Sequence, residues 1–408
     1  MARARISHLK ALPDSHELRL VADEDLALLV AADGSHAEAE QLLRRLLALR
    51  KRSNGAASHS TLATAVHLAR SLTAMDKHAE AAVLTREVWE ERRRLLGGDH
   101  FDTLAAAASL ANLLSLEGKH AEALEVENDT LQIQKRLLGR DHPTALTTAS
   151  NVGIHLSFLG KHAQAEAINR EVLEGRSRLF RGNDHPSTVA AAANLAQSLR
   201  NLARYAEAEA LEREVLASRR RMDGDNSPST VTAASNLAVS LSGQGKHVEA
   251  EAIFLEVLAI RSRELGPSHP DSLVALSGLA IALAGQGRHE EAEPMYRQVL
   301  WTKRLRLPED HASVLGTANN LATSLLHAGR LTEAEELSRD VLAARKRVLG
   351  EDHLATLATA TNLSICLARQ GKVAESDALR CEVKAAKERI ARLVGIRGDP
   401  LPCGAPSS

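Results

Sequence analysis

Between residues 225 and 266 the chain reads DNSPSTVTAASNLAVSLSGQGKHVEAEAIFLEVLAIRSRELG. No charge falls between Ser229 and Gln244. Pro228 suits a first helical position, where its missing N–H costs nothing, and the helix it opens runs to the glycines at 243 and 245. A second helix follows His247. Its apolar residues Ala250, Ile253, Phe254, Val257 and Leu258 fall at i, i+3, i+4, i+7 and i+8, one face of an α-helix. Arg261, Arg263 and Glu264 stand near its end, and Gly266 is a helix-stop glycine. The stretch predicts a helical hairpin.

The same hairpin is written along almost the whole chain. GSHAEA at 34, DKHAEA at 76, GKHAEA at 118, GKHAQA at 160, GKHVEA at 245 and GRHEEA at 287 mark the turn between its two helices. DHFDTL at 99, DHPTAL at 141, SHPDSL at 268, DHASVL at 310 and DHLATL at 352 mark its start, a spacing of 42 between adjacent marks. DHPSTV at 184 comes one residue late, and NSPSTV at 226 restores the spacing. Nine repeats result: 14–55, 56–97, 98–139, 140–182, 183–224, 225–266, 267–308, 309–350 and 351–394. A hairpin repeated at fixed period cannot bury its apolar face alone and stacks on its neighbours. The expected fold is all-α, a right-handed superhelical α-solenoid over 14–394, after an N-terminal extension at 1–13. The Gly/Pro/Ser-rich GIRGDPLPCGAPSS at 395–408 reads as a disordered tail. Its RGD tripeptide at 397–399 carries no weight in a tail of this composition.

Charge divides the two helices of each repeat. The first, here called A, is uncharged from Thr144 to Leu159 as it is from Ser229 to Gln244, yet both stretches hold Ser, Thr and Asn. The second, B, holds most of the Lys, Arg and Glu. B is therefore expected to be the outer, solvated helix, with Arg261 and Arg263 on that outer wall. A is expected to be covered by its neighbours, its polar stripe lining a sheltered concave wall.

Composition narrows the function. A formal charge of −1 over 408 residues favours neither nucleic acid nor an anionic membrane. Aromatic residues make up 2%, few for a compact enzyme core of this size. Cys366, Cys381 and Cys403 form no C-x-x-C, which fits a reducing compartment. Apolar runs such as LALLVAA at 26–32 are too short to span a bilayer, and MARARISHLKALPDSHE has no apolar core of a secretory signal. A cytoplasmic protein is expected.

The pattern N-L-A-x-x-L-x-x-x-G-K-x-x-E-A-E, preceded by L-G-x-x-H-P-x-T-L, resembles the 42-residue tetratricopeptide repeats of kinesin light chain. NLAVSLSGQGKHVEAEAIFLEVLAIRSRELGPSHPDSL at 236–273 and GRHEEAEPMYRQVL at 287–300 carry the resemblance most clearly. It implies a non-enzymatic scaffold or adaptor that binds protein or peptide segments in a groove. Two other readings remain open: a regulatory or sensor module of a signalling ATPase without its nucleotide-binding domain, and a motor light chain bound to a kinesin heavy chain. No sustained heptad precedes the first repeat to attach such a partner.

The Gly-Lys pairs do not mark a nucleotide site. A phosphate-binding loop needs G-x-x-x-x-G-K-[ST], whose hydroxyl holds magnesium. Here His or Val follows the lysine, and no Gly stands five positions before Gly118, Gly160, Gly245 or Gly371. Twelve histidines recur at two marks. His100, His142, His185, His269, His311 and His353 precede the A helices; His36, His78, His120, His162, His247 and His289 precede the B helices. The two sets lie about 24 Å apart along a sixteen-residue helix, too far to share one ion. Ser58 and Ser227 replace the first kind, so these positions are expected to cap helix A or to pack in the turn. Tyr205 replaces the second kind, so these pack between helices. No catalytic set, metal site or cofactor motif stands out from the repeat background.

The candidate binding residues form a row. Asn151, Asn194, Asn236, Asn320 and Asn362 each lie nine residues before the residue that closes helix A, with Ser109 and Gly278 in the same slot elsewhere. An amide can both donate to and accept from a peptide backbone. The resemblance implies that this slot contacts bound peptide. An amide there can equally bond to the neighbouring helix and fix the stacking. Asn112, Gln197, Arg200, Asn201, Asn319, Thr323 and Arg369 lie nearby, and the scattered charge places selectivity in shape and apolar pockets such as one around Phe158.

Overall fold

The computed structural model describes Pro13, residues 16–180 and residues 184–393. The tail expected at 395–408, with its RGD, and most of the extension at 1–13 lie outside the described residues. Eighteen α-helices and no strand occur among the described residues. They are α1 Glu17–Ala32, α2 His36–Ser53, α3 His59–Ala74, α4 His78–Leu96, α5 Phe101–Leu116, α6 His120–Leu138, α7 Pro143–Phe158, α8 His162–Phe180 and α9 Pro186–Asn201. There follow α10 Tyr205–Asp223, α11 Pro228–Gly243, α12 His247–Leu265, α13 Pro270–Gly285, α14 His289–Arg304, α15 Ala312–His327, α16 Leu331–Leu349, α17 Leu354–Arg369 and α18 Val373–Leu393. Odd-numbered helices are A helices, even-numbered ones B helices.

The chain divides into two compact bodies, Met1–Arg204 with α1–α9 and Tyr205–Ser408 with α10–α18. In each, every helix packs on the helices before and after it, and A helices also touch, as α7 does α9 and α13 does α15. The fold is an all-α solenoid of stacked helical hairpins.

The starts of the A helices are set by side chains. His100, His142, His185, His269, His311 and His353 each occupy the N-cap, and Nδ1 accepts the backbone N–H two residues on, at 3.1 Å for His100 and 3.3 Å for His142. His16 does the same for α1, a cap not anticipated in the sequence. Ser58 and Ser227 instead accept from the third residue, Thr61 and Thr230, each at 3.2 Å. Either bond satisfies an N–H that the first helical turn leaves orphaned.

The turn from A to B is equally uniform. The residue closing A has positive φ, as at Gly118 (74°) and Gly245 (79°), where glycine meets no Cβ penalty. Asp76 and Ala203 adopt the same conformation at 58° and 56°. The next N–H reaches back over the turn, as from Lys119 to the Leu114 carbonyl at 2.8 Å and from Lys246 to Leu241 at 2.9 Å, which stops the helix by pairing its last carbonyls.

The Lys of the Gly-Lys pair has a structural partner. Lys77 bonds Glu40 at 2.8 Å, Lys246 bonds Glu209 at 2.8 Å and Lys372 bonds Glu335 at 2.7 Å, each glutamate lying on the preceding B helix. Arg288 takes the same role with Glu251 at 2.8 Å, and Arg330 with Glu293. These bonds hold the carboxyls of Glu40, Glu209 and Glu335 below their ordinary range. In these five repeats the mark links one B helix to the next.

Glycines inside A helices admit rings from the preceding B helix. A Cβ on Gly278 would lie 2.4 Å from the fully buried Phe254 ring. Gly278→Ala is expected to cost about 1–3 kcal/mol, the scale of overpacking, and Phe254→Leu to restore part of it; urea melts of the three variants check this. His142→Ser is expected to leave stability within about 1 kcal/mol of the parent in the same measurement, since serine caps elsewhere in the chain.

Candidate ligand-binding face

Each A helix leaves one stripe uncovered. In α11 it runs through Thr232, Asn236 and Val239; in α13 through Val274, Gly278 and Ile281; in α17 through Ala358, Asn362 and Ile365. These residues sit three or four apart and so share a face. Val239, Ile281 and Ile365 are exposed although they are β-branched and apolar.

The five asparagines are all half-buried in this stripe, but they do not share one bonding state. Asn194 donates to Ser150 Oγ at 3.2 Å and Asn362 to Thr323 Oγ1 at 3.0 Å, both on the preceding A helix. Asn151 donates to Glu127 Oε1 on α6 at 2.9 Å. Asn236 and Asn320 have no side-chain hydrogen bond to the described residues. Asn319 faces its neighbour, accepting from Thr359 Oγ1 at 2.9 Å. Asn201 takes a bond from Gln197 at 3.0 Å and meets His162 Nδ1 at 3.4 Å; Gln197, Asn201 and Asn112 are exposed.

One expected groove residue is not open to a ligand. Arg200 is only 9% exposed, and burial pulls its pKa to about 10. Phe158 is exposed, but its ring stacks on His120 at 4.2 Å rather than opening a pocket. The slot also continues further than the asparagines suggested. Asp25 and His67 occupy it in α1 and α3, at −42 spacing from His67 and Ser109. His67 Nδ1 is buried without a hydrogen-bond partner, and burial lowers the imidazole pKa.

The placement of Arg261 on an outer wall is incorrect. Arg261 is 9% exposed and donates to the Asp271 carbonyl at 3.0 Å and to Thr232 Oγ1 at 3.4 Å. It belongs to a row of cations in the last turns of B helices that reach under the A helix that follows. Arg50 donates to the Ser60 carbonyl, Arg92 to that of Asp102, Arg176 to that of Ser187 and Arg345 to that of Ala355. Side-chain counting treats such cations as solvated, whereas their long stems let the guanidinium cross beneath a neighbouring helix. Arg263 is exposed as expected.

One polar cluster has no counterpart in the other repeats. His155 Nε2 lies 3.3 Å from Glu127 Oε2, both buried, and His155 Nδ1 lies 3.3 Å from His120 Nδ1. Equivalent positions hold Ser198, Ser240 and Ser324. Among the described residues no group of three or more His, Cys, Asp or Glu side chains is placed to hold a metal ion, and no helix is long and apolar enough to cross a membrane.

Sequence comparison places this architecture. The model of the tetratricopeptide repeat family matches residues 144–221, 229–300 and 313–382, and a second of that description matches 24–60, 61–102 and 103–144. The chain belongs to the tetratricopeptide repeat family. Tetratricopeptide repeats form a scaffold fold for protein–protein interaction. The kinesin light chain-type protein of Podosopora anserina, built of nearly identical repeats, is 27% identical over 51% of this chain and 98% of its own, with a TM-score of 0.44. BtubC from P. vanneervenii is 20% identical over 60% of this chain and 98% of its own, with a TM-score of 0.45. These two overlays are too loose to bear on the fold. The apo quorum sensor NprR from B. thuringiensis, at 14% identity and a TM-score of 0.60 over 91% of this chain and 99% of its own, shares the fold alone. No curated protein matches the chain.

Six of the described B helices open on histidines, and two of these stack on rings of the next A helix. His120 stacks on Phe158, and His289 on His327 at 4.7 Å. Burial lowers both pKa values, helped by the facing His155 and His327. A histidine with a depressed folded pKa stabilises the fold fully above its unfolded pKa, near 6.5, and loses that contribution as pH falls through it. Replacing both by tyrosine, as Tyr205 stands in the same slot, is expected to flatten the loss of melting temperature between about pH 7 and pH 5.

Proposed function

We propose that the A-helix stripes hold an extended protein segment, and that the chain is a non-enzymatic adaptor. The observation that carries this reading is the pair Asn236 and Asn320, half-buried yet without side-chain partners among the described residues. Both amides remain open to solvent, and a backbone N–H and C=O can pair with their two ends. Exposed Val239 and Ile281 stand on the same stripes and offer apolar contact to alternate side chains of such a segment. The wall carries little charge there, so the ligand over this part is an aliphatic and uncharged sequence rather than an ionic one. Asn194 and Asn362 serve the stacking of A helices, through the bonds to Ser150 and Thr323.

The test is a peptide selected by display on the purified chain. Asn236→Ala with Asn320→Ala is expected to weaken it by about 1–3 kcal/mol, roughly five- to 150-fold, with melting temperature unchanged. Asn194→Ala and Asn362→Ala are expected to lower the melting temperature instead. Arg263→Ser is expected to leave affinity unchanged. If Arg263→Ser abolishes binding and the Asn236/Asn320 pair does not, the ligand sits on the B helices and the reading fails.

A further inference from the structure

The exposed sides of the B helices are laced by ion pairs. Arg86 reaches Glu122 at 2.7 Å, Arg213 reaches Glu249 at 3.2 Å and Arg297 reaches Glu333 at 2.7 Å, each glutamate on the next B helix. Nearer the helix ends Arg136, Arg178 and Arg347 pair with Asp99, Asp141 and Asp310, in the loop that opens their own repeat. Four residues of the second body break this pattern together. Leu255 on α12 holds the slot of Arg213 and Arg297, 42 residues from each. Leu305, at the end of α14, stands 42 residues from both Arg263 and Arg347. The residue an arginine there would meet, 37 positions earlier, is Ser268 and not aspartate, so both halves of that ion pair are gone. Val248 and Trp301 stand where the preceding repeat has Ala206 and Ala259. Val248, Leu255, Trp301 and Leu305 are 69%, 50%, 65% and 66% exposed. They lie on two B helices joined by the Arg288–Glu251 bond at 2.8 Å. On a wall otherwise covered by ion pairs they make one apolar patch of roughly 500 Å², a size that marks an interaction site.

We propose that this patch is the contact between two copies of the chain, with α12 and α14 of one antiparallel to α12 and α14 of the other about a two-fold axis. Charge selects this occupant. Glu290 in the first turn of α14 and Arg306 just past its last turn have no side-chain partner among the described residues. They are 16 residues apart, about 24 Å along a helix. A second copy rotated by half a turn sets Glu290 of each beside Arg306 of the other, so one self-complementary surface satisfies both charges twice. Leu255, at the middle of α12, then lies near the axis and meets its own copy, and the two Trp301 rings flank it. The patch on both copies amounts to about 1,000 Å², the lower limit of a specific interface. The contact uses the B helices and is independent of the ligand reading of the A-helix stripes.

The test measures the mass of the full chain by sedimentation equilibrium between about 1 and 500 µM. A dimer is expected with a Kd on the order of 10–100 µM, as suits an interface at the lower size limit. Leu255→Arg and Trp301→Ala each introduce the residue that the preceding repeat has in the same slot, so helical content and melting temperature are expected to stay at the parent's values. Dimerisation is expected to weaken at least about tenfold in each, since a central aromatic or aliphatic anchor carries much of such a contact. Should either variant misfold, Leu305→Arg decides, with the same loss expected. Glu290→Arg and Arg306→Glu are each expected to weaken the dimer several-fold, and the two together to restore it. A double exchange that does not restore association overturns the antiparallel pairing and with it the proposal. A dimer indifferent to Leu255→Arg and Trp301→Ala uses another surface and overturns it too. A chain monomeric over the whole range leaves the patch to a foreign partner, which also overturns it.

Discussion

Ala39, Ala81, Ala123, Ala165, Ala208, Ala250, Ala292 and Ala334 have no exposed surface. Each stands in the first turn of a B helix and is enclosed by its neighbours. Only a methyl group fits at such a position, because interiors are packed to the density of organic crystals and a longer side chain would force the helices apart. The ninth repeat has Ser376 there, also buried, and it fits because its hydroxyl bonds the Ser364 carbonyl at 2.8 Å. The turn before this residue, the histidine three residues ahead of it and the Lys–Glu bond to the preceding B helix all depend on that enclosure.

With the spacing so fixed, variety is confined to the positions where a B side chain lies behind the next A helix. Glu127 there turns Asn151 inward, and Asn169 there donates to the Asn194 carbonyl at 3.3 Å and to Ser198 at 2.9 Å. Phe254 there fills the space over Gly278. The residue behind the slot engages the Asn151 amide, whereas Asn194 and Asn362 are engaged by Ser150 and Thr323 on the preceding A helix. A row that looks uniform in the sequence is two populations: amides bonded to a neighbouring helix, and those of Asn236 and Asn320, which have no side-chain hydrogen bond to the described residues.

The same logic governs the cations. A guanidinium near the C-terminal end of a B helix needs acceptors once it passes under the next helix, and backbone carbonyls provide some of them. Burial still lowers the pKa of Arg176, Arg261 and Arg345, which meet carbonyls and neutral side chains. Arg50 has Glu24 as well. Whether a carboxylate is present is a matter of single residues, not of the net charge of a helix.

The sequence by itself determined the elements and their order. The period of 42, the cap residues, the stop glycines and the apolar spacing in each B helix act within a few residues, so the alternating helices, their turns and their caps apart from His16 were legible, as was the family. Direction of charge was not. Arg261 and Arg263 sit two residues apart on one helix, one buried and one exposed, because two residues on an α-helix face nearly opposite ways and only the packed neighbour decides which side is inside. Nor could the row show that Asn194 is engaged and Asn236 is not, since the partner of a side chain on one repeat belongs to another some 40 residues away. Contacts of that range are fixed when the repeats stack, and that step belongs to the tertiary structure.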